Sequence, residues 1–191
     1  MSLADEFVAA IAGISGLDPM FNEGLTDAKL DEIEQKTGLM LPNEFKELYK
    51  LCNGQDYGGN CLFDYFLLNS FDDIINTWET FKSSEEEFES DGIKSEPETG
   101  IKNKWCNSKW LPFANTADGH SICIDYDPDK TGTVGQVITY WYNSEERNLI
   151  AGSFADFIEG YLRNLQDGTY IFDADVSAVV KKDSTPMFGA E

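Results

Sequence analysis

Three aspartates stand at alternate positions, Asp125, Asp127 and Asp129, and the chain's one histidine, His120, lies just upstream of them. Closely spaced carboxylates can ligate calcium, and a histidine can act as a general base, so this stretch is the first place to test for chemistry. An EF-hand loop needs glycine at its sixth position for a sharp turn and a bidentate glutamate at its twelfth. Counted from Asp125, those positions hold Lys130 and Gln136. Catalysis through His120 needs a nucleophile within reach. Its neighbour Ser121 points to the opposite face of a strand, and no G-x-S-x-G elbow is present. A Cys–His pair would have to be assembled by the fold. The residues describe a hairpin connection, DPDKTGTVG, between two hydrophobic runs; metal-dependent and His-based enzyme readings rank below it.

The remaining inventory points the same way. Cys52, Cys61, Cys106 and Cys123 form no CxxC pair, so they read as free thiols, several of them buried. Neither common phosphate-binding glycine motif is present, and no cofactor is expected. With 35 acidic residues, the proximity of some carboxylate pair carries no information about glycoside chemistry. Those 35 acids face 14 Lys and Arg, giving a net charge of −21. Such a field repels nucleic acid and anionic membrane surfaces and attracts basic partners. The N-terminus MSLADEFVAAIAGISG carries acids where a signal peptide needs positive charge, and the expected location is cytoplasmic.

The elements that must position these residues follow from periodicity. Residues 3–13 suggest a short amphipathic helix, and LTDAKLDEIEQKTG a helix capped by Thr26 and stopped by Gly38. In LPNEFKELYKLCNG, Pro42 suits a first turn, and Phe45, Leu48, Tyr49 and Cys52 make one stripe. Residues 61–70 read as a strand, and Ser70 caps a long helix buried through Ile74, Ile75, Trp78 and Phe81. That helix fades into an acidic 83–104 segment, read as a mobile insertion. Period-two runs follow at WLPFANT, HSICIDYD and GQVITYWYN, apolar on both faces and therefore covered on both sides. Trp110, Tyr140, Trp141 and Tyr142 read as sheet packing, with an exposed member able to anchor a partner. SFADFIEGYLRNLQDG is a final helix, TYIFDADVSAVVKK one more strand, and DSTPMFGAE a loose end. The expected fold is α+β: a single domain with a multi-stranded antiparallel sheet and helices packed around it.

Three of these segments, in order, resemble one family. LPNEFKELYKLCNG, WLPFANTADGHSICIDYDP with GTVGQVITYW, and SFADFIEGYLRNLQDG are similar to the proline-led helix, strand pair and closing helix of the SUKH superfamily. His120-Ser121 departs from it, standing where the family more often has glycine with Asp or Asn. The resemblance spans residues 25–170 and implies an α+β, non-enzymatic protein. Residues 1–24 then form an N-terminal helix and linker, and 171–191 a C-terminal strand and tail. It also implies a protein partner. Bacterial members are mostly immunity proteins that bind and neutralise a cognate polymorphic toxin, often a nuclease; others are intracellular regulatory or scaffold modules. Set beside the charge, the expected partner is a basic toxin domain, met by Asp118, Asp125, Asp127 and Asp129.

Overall fold

Residues 1–189 are described by a computed structural model. The last two residues of the stretch read as a loose end, 190 and 191, lie outside the described residues. In chain order the elements are α1 (Leu3–Ala12), β1 (Phe21–Glu23), α2 (Asp27–Thr37), α3 (Asn43–Leu51), β2 (Cys52–Gln55), β3 (Leu67–Leu68) and α4 (Phe71–Ser90). Then come β4 (Glu96–Pro97), β5 (Trp110–Asn115), β6 (Ser121–Asp125), β7 (Gln136–Tyr140), β8 (Glu146–Arg147), β9 (Leu149–Ala151), α5 (Phe154–Gln166), β10 (Tyr170–Asp173) and β11 (Ala178–Lys181). The central sheet has the order β3-β5-β6-β7-β9, every pairing antiparallel. The expected α+β class is what the chain adopts.

Strand alternation builds two cores. Leu111, Phe113, Ile122, Ile124 and Val137 belong to the main cluster, with Phe45 and Tyr49 of α3 and Phe154 and Phe157 of α5. Trp110, Cys123, Ile138 and Tyr140 point the other way and meet Phe81 of α4, Ile101 and Cys106. The sheet is thus covered on both sides, as its double-faced hydrophobicity predicts. Ser2, Thr26, Ser70 and Ser153 each cap a helix through the side chain. Pro42 stands at the N-cap of α3, one position before the first turn expected for it.

Four local readings change. The 61–70 run pairs as a strand only at Leu67–Leu68, because Asp64, with φ at 54°, bends the chain between Phe63 and Phe66. The segment read as one late strand is a hairpin, β10 against β11. The supposed loose end docks: Met187 and Phe188 are buried, and Met187 N–H donates to Asp64 Oδ2 at 2.5 Å. Finally, α4 runs on to Ser90 through the acid-rich stretch, and the segment after it is fastened at several points. Lys104 Nζ lies 2.6 Å from Glu85 and 2.7 Å from Glu89, while Glu85 also accepts from Ser108 N–H. Arg147, fully buried, donates to the carbonyls of Trp105, Trp141, Ser144 and Glu146.

Burial resists ionisation of Glu85, yet hydrogen bonds from Lys104 and Ser108 outweigh it and hold the carboxyl below its ordinary value of 4.5. The stabilisation is complete above pH 4.5 and is lost as pH falls through the lowered folded value. Glu85→Gln should cost about 1 kcal/mol at neutral pH and speed amide exchange across residues 98–107. Unchanged exchange there would contradict this anchoring.

Candidate functional site

The four aspartates expected to form one docking edge are divided between the two ends of β6. That strand separates them by roughly 15 Å at ordinary strand rise. Asp125 is fully buried. Its Oδ1 accepts from Trp110 Nε1–H at 3.1 Å and Asp127 N–H at 2.9 Å, and its Oδ2 from Gln136 Nε2–H at 2.9 Å. Burial pushes its carboxyl up, and these hydrogen bonds oppose the shift. Asp125 is therefore an internal fastener and no part of a docking surface, which corrects the expectation for it. A buried acceptor serving several donors is costly to remove, because the donors are left unpaired.

Asp127 is partly exposed and paired with Lys102, and it accepts from Asn107 Nδ2–H at 3.1 Å. Burial resists its ionisation, but Lys102 and Asn107 hold its carboxyl below the usual range. Asp129 is exposed, but its backbone N–H donates to Gly100 O at 3.1 Å. The β6–β7 connection is thus stitched to the 98–104 loop. Gly132 marks the closest approach: a Cβ there would meet Gly100 O at 2.1 Å. Lys130 and Gln136 break the calcium pattern, and Gln136 instead serves the network, donating to both Asp125 and Gly100 O.

Asp118 sits on the opposite end, on the exposed turn between β5 and β6. There a cleft of 430 Å³ opens between that turn and the C-terminal hairpin. Asp118, His120, Trp141, Asp173, Tyr65 and Asp64 all line it. Tyr65 is 65% exposed and Val176 45%. Trp141 is half-buried, its Nε1–H donating to Asn148 Oδ1, and its ring meets His120 at 5.1 Å and Phe66 at 5.9 Å. His120 Nδ1 accepts from Tyr142 N–H at 3.0 Å, which places the proton of the neutral ring on Nε2. Burial pushes the Asp64 carboxyl up, and Met187 N–H and Lys181 oppose it. Asp64 and Ser184, both lining the cleft, are left-handed non-glycine residues at φ 54° and 62°. Such strain costs about 1–3 kcal/mol per residue and concentrates at working surfaces.

Sequence reasoning missed Tyr65, Asp64, Asp173 and Val176. They come from two segments more than a hundred residues apart in the chain, 64–65 and 173–176, and no motif links them. His120 and Trp141 do stand out in the sequence, but as a candidate general base without a nucleophile and as sheet packing. The cysteine that a Cys–His pair would need is not among the described residues lining the cleft. Burial drives the Cys52 and Cys106 thiols up to about 12 and also pushes Cys123 well above its ordinary value, so these thiols are poor nucleophiles. Among the described residues, no group of three or more His, Cys, Asp or Glu side chains is placed to hold a metal. No described helix is long and apolar enough to cross a membrane.

The fold, with its double-covered sheet and proline-led third helix, is that of a SUKH-type module. Residues 24–160 match the SMI1 / KNR4 family (SUKH-1), and the chain belongs to that family. It is 21% identical to a glucan synthesis regulatory protein of Neurospora crassa, covering 81% of this chain and 36% of the relative. It is 26% identical to the cell wall biosynthesis/cell cycle regulator smi1 of Schizosaccharomyces pombe, over 80% of this chain and 33% of the relative. With the cell wall assembly regulator SMI1 of Saccharomyces cerevisiae the identity is 18%, over 90% and 41%. The chain spans about a third of the length of the first two of these relatives. They are named as regulators rather than enzymes.

Removing the buried fastener should be costly. Asp125→Ala is expected to destabilise the fold by about 3 kcal/mol, read by chemical denaturation. Asp129→Asn, at the same end of the sheet but exposed, should shift stability by less than about 0.5 kcal/mol. Equal losses would contradict the division between the two.

Proposed function

We propose that this chain is a non-catalytic protein-binding module that receives a basic segment of a partner protein in the cleft beside the β5–β6 turn. The reading is carried by one observation: Tyr65, Trp141, Asp118 and Asp173 border a single 430 Å³ cleft in a chain of net charge −21. Carboxylates at the rim attract Lys or Arg. A cation over an aromatic face adds about 0.5–2 kcal/mol as it desolvates. At longer range, the net charge speeds encounter with a basic partner by roughly 10–10³-fold, an effect that salt removes.

The role we favour is immunity: occlusion of a basic toxin domain. A nuclease suits the charge, because a protein that grips phosphates must itself be basic. The names of the relatives favour a second role, a regulatory or scaffold module acting on another cellular protein. Both roles place the module in the cytoplasm, where its free thiols stay reduced. They differ in the partner. Co-expression with the product of the neighbouring gene decides between them: rescue from a toxic product supports immunity. A toxic neighbour that this chain neither binds nor neutralises would sink the immunity role.

The cleft itself is tested by point variants once a basic partner is in hand. Tyr65→Ala should weaken binding about tenfold or more, as for an aromatic anchor. The double variant Asp118→Asn with Asp173→Asn should slow association and flatten its salt dependence. Unchanged affinity and unchanged salt response, measured by surface plasmon resonance, would place the partner elsewhere.

A further inference from the structure

The β5–β6 turn has a second side. Asn115 pairs with Ser121, and Ser121 with Tyr140, so the three lie in one row across three strands. They face α4 rather than the C-terminal hairpin, and they line a separate cavity of 490 Å³. That volume lies within the range of small-molecule sites, about 300–1,000 Å³.

Its chemistry differs from the rest of the surface. No charged side chain lines it among the described residues, although the chain carries 35 acids and 14 Lys and Arg. Hydroxyl and amide groups of α4 form one wall. Thr80 Oγ1 donates back to Asn76 O at 3.0 Å, leaving its lone pairs as acceptors. Rings form the other wall. Tyr142 is 61% exposed and lies over Gly119, where a Cβ would stand 3.7 Å from the ring. Tyr140 of β7 meets Phe81 of α4 across the cavity lining, with ring centroids 4.7 Å apart.

Two polar atoms here are unsatisfied. Ser121 is 1% exposed and its Oγ has no hydrogen-bond partner. Asn115 spends its Nδ2–H on Thr77 Oγ1 at 2.8 Å, yet its buried Oδ1 accepts from nothing. Native proteins rarely leave such groups unpaired, since each costs about 1–3 kcal/mol. An occupant that supplies donors would remove that cost.

We propose that this cavity binds a neutral, hydroxyl-rich ring compound of sugar size. Its hydroxyls would meet Asn115 Oδ1, Ser121 Oγ and the α4 hydroxyls, and its apolar face would lie on Tyr142. Absence of charge in the lining selects against phosphates and amines, whose desolvation nothing here would offset. The proposal stands independently of the protein-binding cleft, which faces the other side of the sheet.

Saturation-transfer NMR on the full chain tests it, with glucose, galactose and N-acetylglucosamine as free sugars and linear glucose tetrasaccharides as chain ends. At least one probe is expected to bind at millimolar concentration. Ser121→Ala should weaken that binding about tenfold while melting no lower than the parent, because it deletes an unsatisfied hydroxyl. Tyr142→Ala, a surface change, should also weaken it. Binding of free sugars alone would make the source a soluble metabolite; binding of tetrasaccharides alone, a glycan. The proposal is overturned if no probe binds, if binding survives both variants, or if Ser121→Ala melts lower and leaves binding intact. The last result would mean that a bound water alone satisfies Ser121.

Discussion

One buried carboxylate sets the register of the three central strands. Trp110 pairs with Asp125 and Asp125 with Gln136, so Asp125 lies across from the first residue of β5 and the first of β7. It accepts hydrogen bonds from both of those side chains. A slip of one residue in a strand would send every side chain to the opposite face. With Asp125 in place, Ile122, Ile124 and Val137 fall into the main core, and Cys123, Ile138 and Tyr140 into the second. Burying a carboxylate is costly, and its raised pKa reflects that cost. The return is specificity of register rather than raw stability.

That arrangement gives the sheet two unlike ends. At the Asp125 end, the carboxylates of Asp125 and Asp127 are spent on internal contacts. Asp127 holds Lys102, Gln136 spans to Gly100, and the connection is stapled to the loop after α4. At the other end the β5–β6 turn projects between two cavities. Alternation decides which residue lines which. Thr116, His120 and Trp141 line the acidic cleft with the C-terminal hairpin, and Asn115, Ser121 and Tyr140 line the neutral one with α4. The hydrogen bond from Tyr142 N–H to His120 Nδ1 joins the two sides through the turn.

How much of this was legible in the sequence depended on whether a local pattern carried it. Helical stripes such as Phe154 to Tyr161, and alternation such as Ile122 and Ile124, report burial directly, so the elements and the covered sheet could be read. The Asp-x-Asp-x-Asp spacing was conspicuous, but spacing does not tell a buried acceptor from an exposed acid. Only the packing of Trp110 and Gln136 makes Asp125 internal. Acid density suggested mobility for 83–104, because the compensating Lys104 and the buried Ile101 lie beyond the helix. The cleft was invisible, since Tyr65, Asp118 and Asp173 meet only when the C-terminal hairpin returns to Cys61 and Asp64.

The central claim is that partners engage the cleft between the β5–β6 turn and the C-terminal hairpin, not the aspartates beyond β6. Hydrogen exchange of the chain, free and bound to a basic partner, tests it most directly. The account predicts protection on binding at residues 64–66, 116–120 and 173–177, with residues 127–135 unaffected. Protection confined to 127–135 would contradict it.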